Sequence, residues 1–213
     1  MKKHGIELVC FDLNKTLINE ATWDTMNVAL GMSPEEDQHY LDQFNAGKIS
    51  YAEWTRILLD LYKQRGKASH AAISESVLKY NYKAGAKEIV AYLKGQGYHV
   101  ALVSGAMDIL VSHVAAELDI ELAEANNTFV FDDAGNLAEI SVAGEDDEAK
   151  VQHLQSFCGR LGIDITQCAC VGDGDNDIKL FEATKHGITF EGSRIEHTAW
   201  KTIRELSDIK NIL

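Results

Sequence analysis

Three short apolar runs stand out along the chain, at residues 6–11, 98–103 and 167–171, and each is followed at once by polar residues. Unbroken apolar runs of this length are typical of strands that are buried on both faces of a parallel sheet. The segments 85–94, 107–118 and 145–161 instead have apolar residues at helical spacing. This alternation predicts an α/β domain with a doubly wound parallel sheet.

Two further patterns interrupt the alternation. Residues 128–131 and 137–142 predict two short strands joined by a glycine-containing turn, and therefore a small β-hairpin. Residues 19–82 contain no strand-like run, but they have helix starts at Ser33, which precedes a proline, and at Ser50, which has the capping-box spacing to Glu53. The apolar stripe that follows Ser50, formed by Trp54, Ile57, Leu58 and Leu61, favours core packing over a cofactor site. We predict that 19–82 is an inserted α-helical cap, and that 1–18 and 83–213 form the core.

Composition narrows the class of partner. The chain has 213 residues and a formal net charge of -13, so nucleic acid and anionic membrane surfaces would repel it. The apolar run near the N-terminus is too short for a signal or a membrane span, which predicts a cytoplasmic protein with a small-molecule partner. The oligomeric state is left open.

The cysteines Cys10, Cys158, Cys168 and Cys170 lack CxxC spacing, so free core thiols are favoured over a metal site.

The ends of the three predicted strands carry the candidate chemistry. In an open α/β sheet the loops after the strands meet at one edge, which would bring together Asp12, Ser104 and the segment 172–177 (GDGDND). A carboxylate can attack phosphorus if a cation neutralises the approach of two anions. Asp12 fits the nucleophile, and Asp12, Asp173 and a supporting Asp177 fit a Mg²⁺ site.

Other residues fit the phosphate group. The Ser104 hydroxyl, the backbone amides of a turn at Gly105 and the Lys150 ammonium are suited to nonbridging phosphate oxygens. Each feature alone has an ordinary structural explanation, as a turn, a helix cap or a solvated lysine. Their joint occurrence in this order favours a phosphoryl-transfer site.

The segments FDLNKT, SG, Lys150 and VGDGDNDIKLF resemble, in order and spacing, the four motifs of the haloacid dehalogenase superfamily. The similarity is greatest to its phosphoserine phosphatase group, and it spans nearly the whole chain. The resemblance implies that Asp12 is the nucleophile and a Mg²⁺ ligand and that Ser104 and Lys150 bind phosphate. It also implies that Asp173 and Asp177 form the metal site and that Asn176 contacts the phosphoryl group or substrate.

The resemblance is incomplete at the residue that should transfer protons. The family has a second aspartate two positions after the nucleophile, whereas this chain has Asn14. The backbone carbonyl of Asn14 can still bind the metal, but its amide cannot act as a general acid or base, a contribution of ~10²–10⁴-fold. Several explanations remain open: slow or leaving-group-selective hydrolysis, another residue or water that takes over the proton transfer, and a deliberate replacement of the aspartate. Transfer to an acceptor other than water and a weakened Mg²⁺- and phosphate-binding protein are further alternatives.

The cap also departs from the family pattern. The segment 47–56 resembles the one that supplies the substrate-carboxylate arginine, which would be Arg56. In the family, an acidic residue near the first motif holds the substrate amine, and its position here is Ala21. Glu20, one position away, is the candidate for that role. Trp23 is suited either to wall the pocket or to pack within the cap.

Overall fold

The architecture is that of a three-layer α/β protein with one central sheet. A computed structural model describes residues 2–213, so residue 1 of the predicted core lies outside the described residues. The sheet has seven strands in the order β4-β3-β2-β1-β5-β6-β7, and all neighbours are parallel except β3 and β4. The strands are β1 (Leu8–Phe11), β2 (His99–Met107), β3 (Leu122–Phe131), β4 (Leu137–Val142), β5 (Cys168–Val171), β6 (Gly187–Phe190) and β7 (Lys201–Ile203).

Helices cover both faces of this sheet, as the alternating pattern predicted. Those that follow the first strand are α1 (Thr22–Ala29), α2 (Pro34–Asn45), α3 (Tyr51–Arg65) and α4 (His70–Val77). The later ones are α5 (Ala86–Gly95), α6 (Asp108–Glu117), α7 (Asp146–Leu161), α8 (Ile178–Thr184) and α9 (Ile209–Ile212). The predicted fold class, a doubly wound sheet with inserted helices and a hairpin, is confirmed.

Side chains alternate between the two faces of β1. Val9 and Phe11 belong to the larger apolar core, which includes the inserted helices, whereas Leu8 and Cys10 pack into a second core with α7. Cys10 lies directly opposite Cys170 in the parallel register. All four cysteines are free and buried, which agrees with the interpretation of them as core residues.

The segment 19–82 contains α1 to α4, and its helix starts match the predicted caps. The Ser33 hydroxyl accepts the amide N–H of Glu36 (3.2 Å), and Ser50 and Glu53 form a reciprocal capping box. The connection between α3 and α4 sits on the β3–β4 turn, where the N–H of His70 donates to the carbonyl of Gly135 (2.8 Å). The division into core and cap at 18/19 and 82/83 stays a prediction.

Three details differ from the prediction. The hairpin is not a separate element, because β3 is ten residues long and extends the main sheet at one edge. Strand β2 continues past Ser104 to Met107 with a register irregularity, so Gly105 lies in an irregular strand end instead of a turn. The prediction also does not include strands β6 and β7, which have four and three residues.

Within residues 2–213, no helix combines the length and the apolar character that crossing a membrane requires.

Candidate active site

Asp12 lies at the centre of the carboxyl edge of the sheet. It follows β1, which is flanked by β2 and β5, and its backbone N–H donates to the carbonyl of Val171 (2.9 Å). Its side chain is only 7% exposed. The central position of β1 therefore puts one carboxylate between the loop that carries Ser104 and the loop that carries Asp173.

Lys150 donates a hydrogen bond to this carboxylate. It is fully buried in the first half of α7, and its Nζ donates to Oδ1 of Asp12 (2.8 Å) and to Oδ1 of Asp177 (2.7 Å). Burial alone would lower the pKa of this ammonium, but the two carboxylates outweigh it and keep the pKa well above its ordinary value. Lys150 is thus a permanent positive charge next to the Asp12 carboxylate.

The site nevertheless has more negative than positive charge. The pKa of Asp12 is raised to about 7, chiefly by burial and also by the neighbouring Asp177, with Lys150 acting against the rise. Burial also raises the pKa of Asp173, with a further contribution from Asp177. Three carboxylates share one buried ammonium, and a site of this kind gains stability when a further cation is bound.

The three carboxylates are arranged so that they can hold a metal ion. Asp12, Asp173 and Asp177 each offer an oxygen, and these oxygens lie within 4.8 Å of one another. This is the only such group of His, Cys, Asp or Glu side chains in residues 2–213. Because all donors are hard carboxylate oxygens, the set suits a hard divalent cation. The four cysteines do not form such a group.

Asp177 also organises the loop around it. Its Oδ2 accepts the N–H groups of Asp173 and Gly174 (both 3.1 Å), while Oδ1 accepts from Lys150. A Cβ at Gly172 would overlap this carboxylate, so only glycine fits there. The Thr16 hydroxyl donates to Oδ1 of Asp173 (3.2 Å) and helps to fix it.

The Asn14 side chain lies at the start of α1. Its Oδ1 accepts from the hydroxyl (2.9 Å) and the backbone N–H (3.4 Å) of Thr22. It lines the same cavity as Asp12. Its amide group neither ionises nor takes up a proton near neutral pH, so it cannot act as a general acid or base.

Ser104 and Gly105 lie on the other side of Asp12, with Asn176 across the cavity. The sequence reasoning missed Asp146, whose carboxylate lies between Gly105 and Asn176. A Cβ on Gly105 would be 2.5 Å from the Asp146 oxygens, and Nδ2 of Asn176 donates to Oδ2 of Asp146 (2.5 Å). The signal available was the position of Asp146 in the first turn of the helix that carries Lys150.

These residues line one cavity of about 420 Å³. Its cap-side wall is apolar and is formed by Trp23, Leu41, Phe44, Tyr51 and Trp54. Trp54 and Tyr51 are in the helical stripe that the sequence indicates only as core, so the pattern gave no sign that they face a site.

The two cap residues predicted to bind substrate lie elsewhere. Arg56 is exposed and does not line the cavity, because it is two residues from Trp54 and so points about 200° away around α3. The carboxylate of Glu20 accepts from the backbone N–H and the side chain of Asn81 (both 3.0 Å) and does not line the cavity either. Their predicted contact with substrate remains untested.

The fold and this carboxylate-centred site define a class of phosphoryl-transfer enzymes, and comparison with known proteins gives the family. Residues 9–182 match the model of the haloacid dehalogenase-like hydrolases. The chain is 30% identical over 209 residues to a phosphoserine phosphatase from Methanocaldococcus jannaschii, covering 97% of this chain and 96% of the relative. It is 28% identical to a phosphoserine phosphatase from Streptococcus thermophilus, with 86% and 83% covered.

Solved structures agree. A phospho-aspartyl intermediate analogue of phosphoserine phosphatase superposes with a TM-score of 0.81 at 27% identity, over 98% of this chain and 99% of that one. A substrate-bound phosphoserine phosphatase complex gives 0.82 at 26% identity over the full length of both. The chain belongs to the haloacid dehalogenase-like hydrolase family. The predicted resemblance is confirmed, as is the prediction of an enzyme of the phosphatase type.

Proposed function

We propose that this protein is a Mg²⁺-dependent phosphomonoester hydrolase that forms an aspartyl phosphate on Asp12 and acts on a small, phosphoserine-like phosphorylated metabolite. The observation that carries the proposal is the buried Asp12 carboxylate, held by Lys150 and beside Asp173 and Asp177. A similar protein is described as a phospho-aspartyl intermediate analogue, which supports the same chemistry here.

The residues have separate roles in this proposal. An oxygen of Asp12 attacks phosphorus and the bond to the leaving oxygen breaks; water then attacks the aspartyl phosphate and releases phosphate. Ser104, Gly105 and Asn176 line the cavity beside Asp12 and would hold the nonbridging oxygens. Lys150 keeps Asp12 oriented and offsets its charge.

Asp12 and Asp173 would hold the metal ion directly, together with the backbone carbonyl of Asn14. Both oxygens of Asp177 already accept hydrogen bonds, so its part is to fix the loop. When bound, Mg²⁺ supplies the positive charge that allows a carboxylate to approach a phosphate.

Asn14 should restrict which phosphate esters react at a useful rate. Without a general acid at this position, esters whose leaving group needs a proton should react slowly, whereas aryl phosphates need little protonation. Two other functions fit the same observation: transfer of phosphate to an alcohol, and Mg²⁺-dependent binding of a phosphorylated ligand without turnover. An added alcohol that accelerates loss of the aryl ester would favour transfer, and detectable turnover would exclude the purely binding role.

Three further predictions concern the cap segment, the substrate and the cellular location. We infer that residues 19–82 cover the active site as a cap, because Trp23, Phe44, Tyr51 and Trp54 from this segment line the cavity. The relatives are named as phosphoserine phosphatases. In this chain, the residues expected to bind the carboxylate and the amine of phosphoserine, Arg56 and Glu20, do not line the cavity. The cytoplasmic location stays a prediction.

The direct test is phosphate release from an aryl phosphate, with and without Mg²⁺. We expect Mg²⁺-dependent release by the natural protein and none by Asp12→Asn, because an amide cannot attack phosphorus. Asp133→Asn makes the same chemical change at an exposed turn and should behave like the natural protein. Full turnover by Asp12→Asn would show that the nucleophile is another group.

A further inference from the structure

The cap-side wall of the cavity is aromatic and held in place. The rings of Phe44 and Trp54 are stacked, with centroids 5.2 Å apart and planes 13° apart, and Tyr51 packs edge-on against Trp54 at 5.8 Å. The Trp23 ring lies 6.2 Å from that of Trp54. Together they form the aromatic part of the cavity lining, in which Tyr51 and Trp54 are only 3% and 9% exposed.

Hydrogen bonds use two of the three polar side-chain atoms of this wall. Nε1 of Trp23 donates to the carbonyl of Gly105 (2.9 Å), and the hydroxyl of Tyr51 accepts from Nδ2 of Asn127 (2.7 Å). Nε1 of Trp54 is buried and has no hydrogen-bond partner within residues 2–213. The contacts of Trp23 and Tyr51 hold the wall in place before a substrate binds.

Another part of the cavity lining, the acidic rim, consists of Glu145, Asp146, Asp147 and Asp175. Two of these carboxylates are ion-paired, Asp147 with Lys179 (3.0 Å) and Asp175 with Arg194 (3.1 Å), whereas Glu145 and Asp146 have no basic partner within residues 2–213. Among the same residues, Arg194 is the one basic side chain that lines the cavity. Lys150 is fully buried and bonded to carboxylates. A substrate carboxylate would therefore meet like charges, whereas an organic cation would meet carboxylates and aromatic faces.

From this distribution we propose that the preferred substrate is a phosphomonoester of a small organic cation, such as a substituted amine or quaternary ammonium. The inference rests on the proposed hydrolase function and specifies its substrate class. The phosphate would lie at Asp12 and the cationic group between the aromatic wall and the acidic rim. Trp23, Trp54 and Glu145 are the specificity-determining residues.

A comparison of three esters separates charge from shape. Phosphocholine carries the quaternary ammonium, 3,3-dimethylbutyl phosphate is its neutral carbon isostere, and phosphoserine carries both an ammonium and a carboxylate. We expect kcat/KM for phosphocholine to exceed that for each of the others by about tenfold or more. A value for phosphoserine that equals or exceeds that for phosphocholine would overturn the proposal, and so would equal values for phosphocholine and its isostere.

Matched variants test the two walls separately. Glu145→Gln should raise KM for phosphocholine about threefold and leave the isostere unchanged, because it removes one screened charge at the cavity. Glu148→Gln makes the same change three residues along α7, outside the cavity, and should change neither. Equal effects of the two variants, or equal effects on both esters, would contradict the charge argument.

Trp54→Leu should raise KM for phosphocholine about tenfold, whereas Trp54→Phe, which keeps an aromatic face, should have a smaller effect. If the leucine variant does not fold, the phenylalanine variant and the Glu145 pair still decide the question. An equal loss for phosphocholine and the isostere would reduce Trp54 to an apolar wall and contradict its role toward a cation.

A binding experiment separates failure of this inference from failure of the proposed function. Absence of turnover for every ester, aryl phosphate included, would contradict the hydrolase itself. In that case, tryptophan fluorescence of Asp12→Asn with Mg²⁺ measures affinity directly, because Trp23 and Trp54 line the cavity. Tighter binding of phosphocholine than of its isostere and phosphoserine supports the substrate class, and the reverse order overturns it.

Discussion

Replacing Asn14 with aspartate should convert a leaving-group-selective enzyme into a general one. The site can accept the change without rearrangement, because Oδ1 of Asn14 accepts from the hydroxyl (2.9 Å) and backbone N–H (3.4 Å) of Thr22. A carboxylate of the same shape can accept both. Because residue 14 lines the cavity with Asp12, its second oxygen is placed to serve the leaving group and the attacking water.

The size of the effect follows from the chemistry that is missing. A positioned general acid or base contributes ~10²–10⁴-fold, which corresponds to ~3–5 kcal/mol of barrier. The full effect applies to alkyl phosphates, whose alkoxide leaves poorly without a proton. An aryl ester forms the phosphoenzyme with little help, but hydrolysis of that intermediate needs the base for either substrate.

Steady-state kinetics can resolve these steps. The ratio kcat/KM reports formation of the phosphoenzyme, whereas kcat also includes its hydrolysis. Asn14→Asp should therefore raise kcat/KM strongly for an alkyl phosphate and little for an aryl phosphate, and it should raise kcat for both. Asn45→Asp, which adds a carboxylate elsewhere in the same cavity, is the control and should not reproduce this pattern. An equal rise in kcat/KM for both esters, or no rise, would refute the reasoning.

Three other substitutions test the framework. Lys150→Met should destabilise the metal-free protein by ~3–5 kcal/mol in urea unfolding, since it leaves buried carboxylates unpaired; a loss below ~1 kcal/mol would contradict this. Gly172→Ala should lower kcat/KM by ~10²-fold, because its Cβ displaces Asp177, whereas Gly159→Ala has open space and should be neutral. Ser50→Ala should lower the free energy of unfolding by ~1 kcal/mol, because it removes the capping box at the start of α3. An unchanged Tm would show that this capping box does not contribute to stability.

The sequence was most informative where the chemistry follows a strand. Asp12 and Asp173 each come directly after a readable apolar run, and the parallel sheet necessarily brings such ends to one edge. Lys150 was also identifiable, although its complete burial between two carboxylates was not, because burial depends on how α7 packs.

The cap was less predictable for a physical reason. An apolar stripe on α3 has the same pattern whether it faces other helices or an open cavity, so Trp54 was interpreted as core. Arg56 illustrates the converse, since a sequence motif does not fix which face of a helix points to the site. Asp146 was missed because an acidic first helical turn is ordinary on electrostatic grounds.

The most direct test of the central claim is to find the phosphoryl group on the protein. Because Asn14 slows hydrolysis of the intermediate more than its formation from an aryl ester, the natural protein mixed with aryl phosphate and Mg²⁺ should accumulate phosphoenzyme. After an acid quench and proteolysis, mass spectrometry should find one phosphoryl group on the peptide that contains Asp12, and none in Asp12→Asn. Release of product with phosphate on a different residue, or with no modified peptide, would contradict the account.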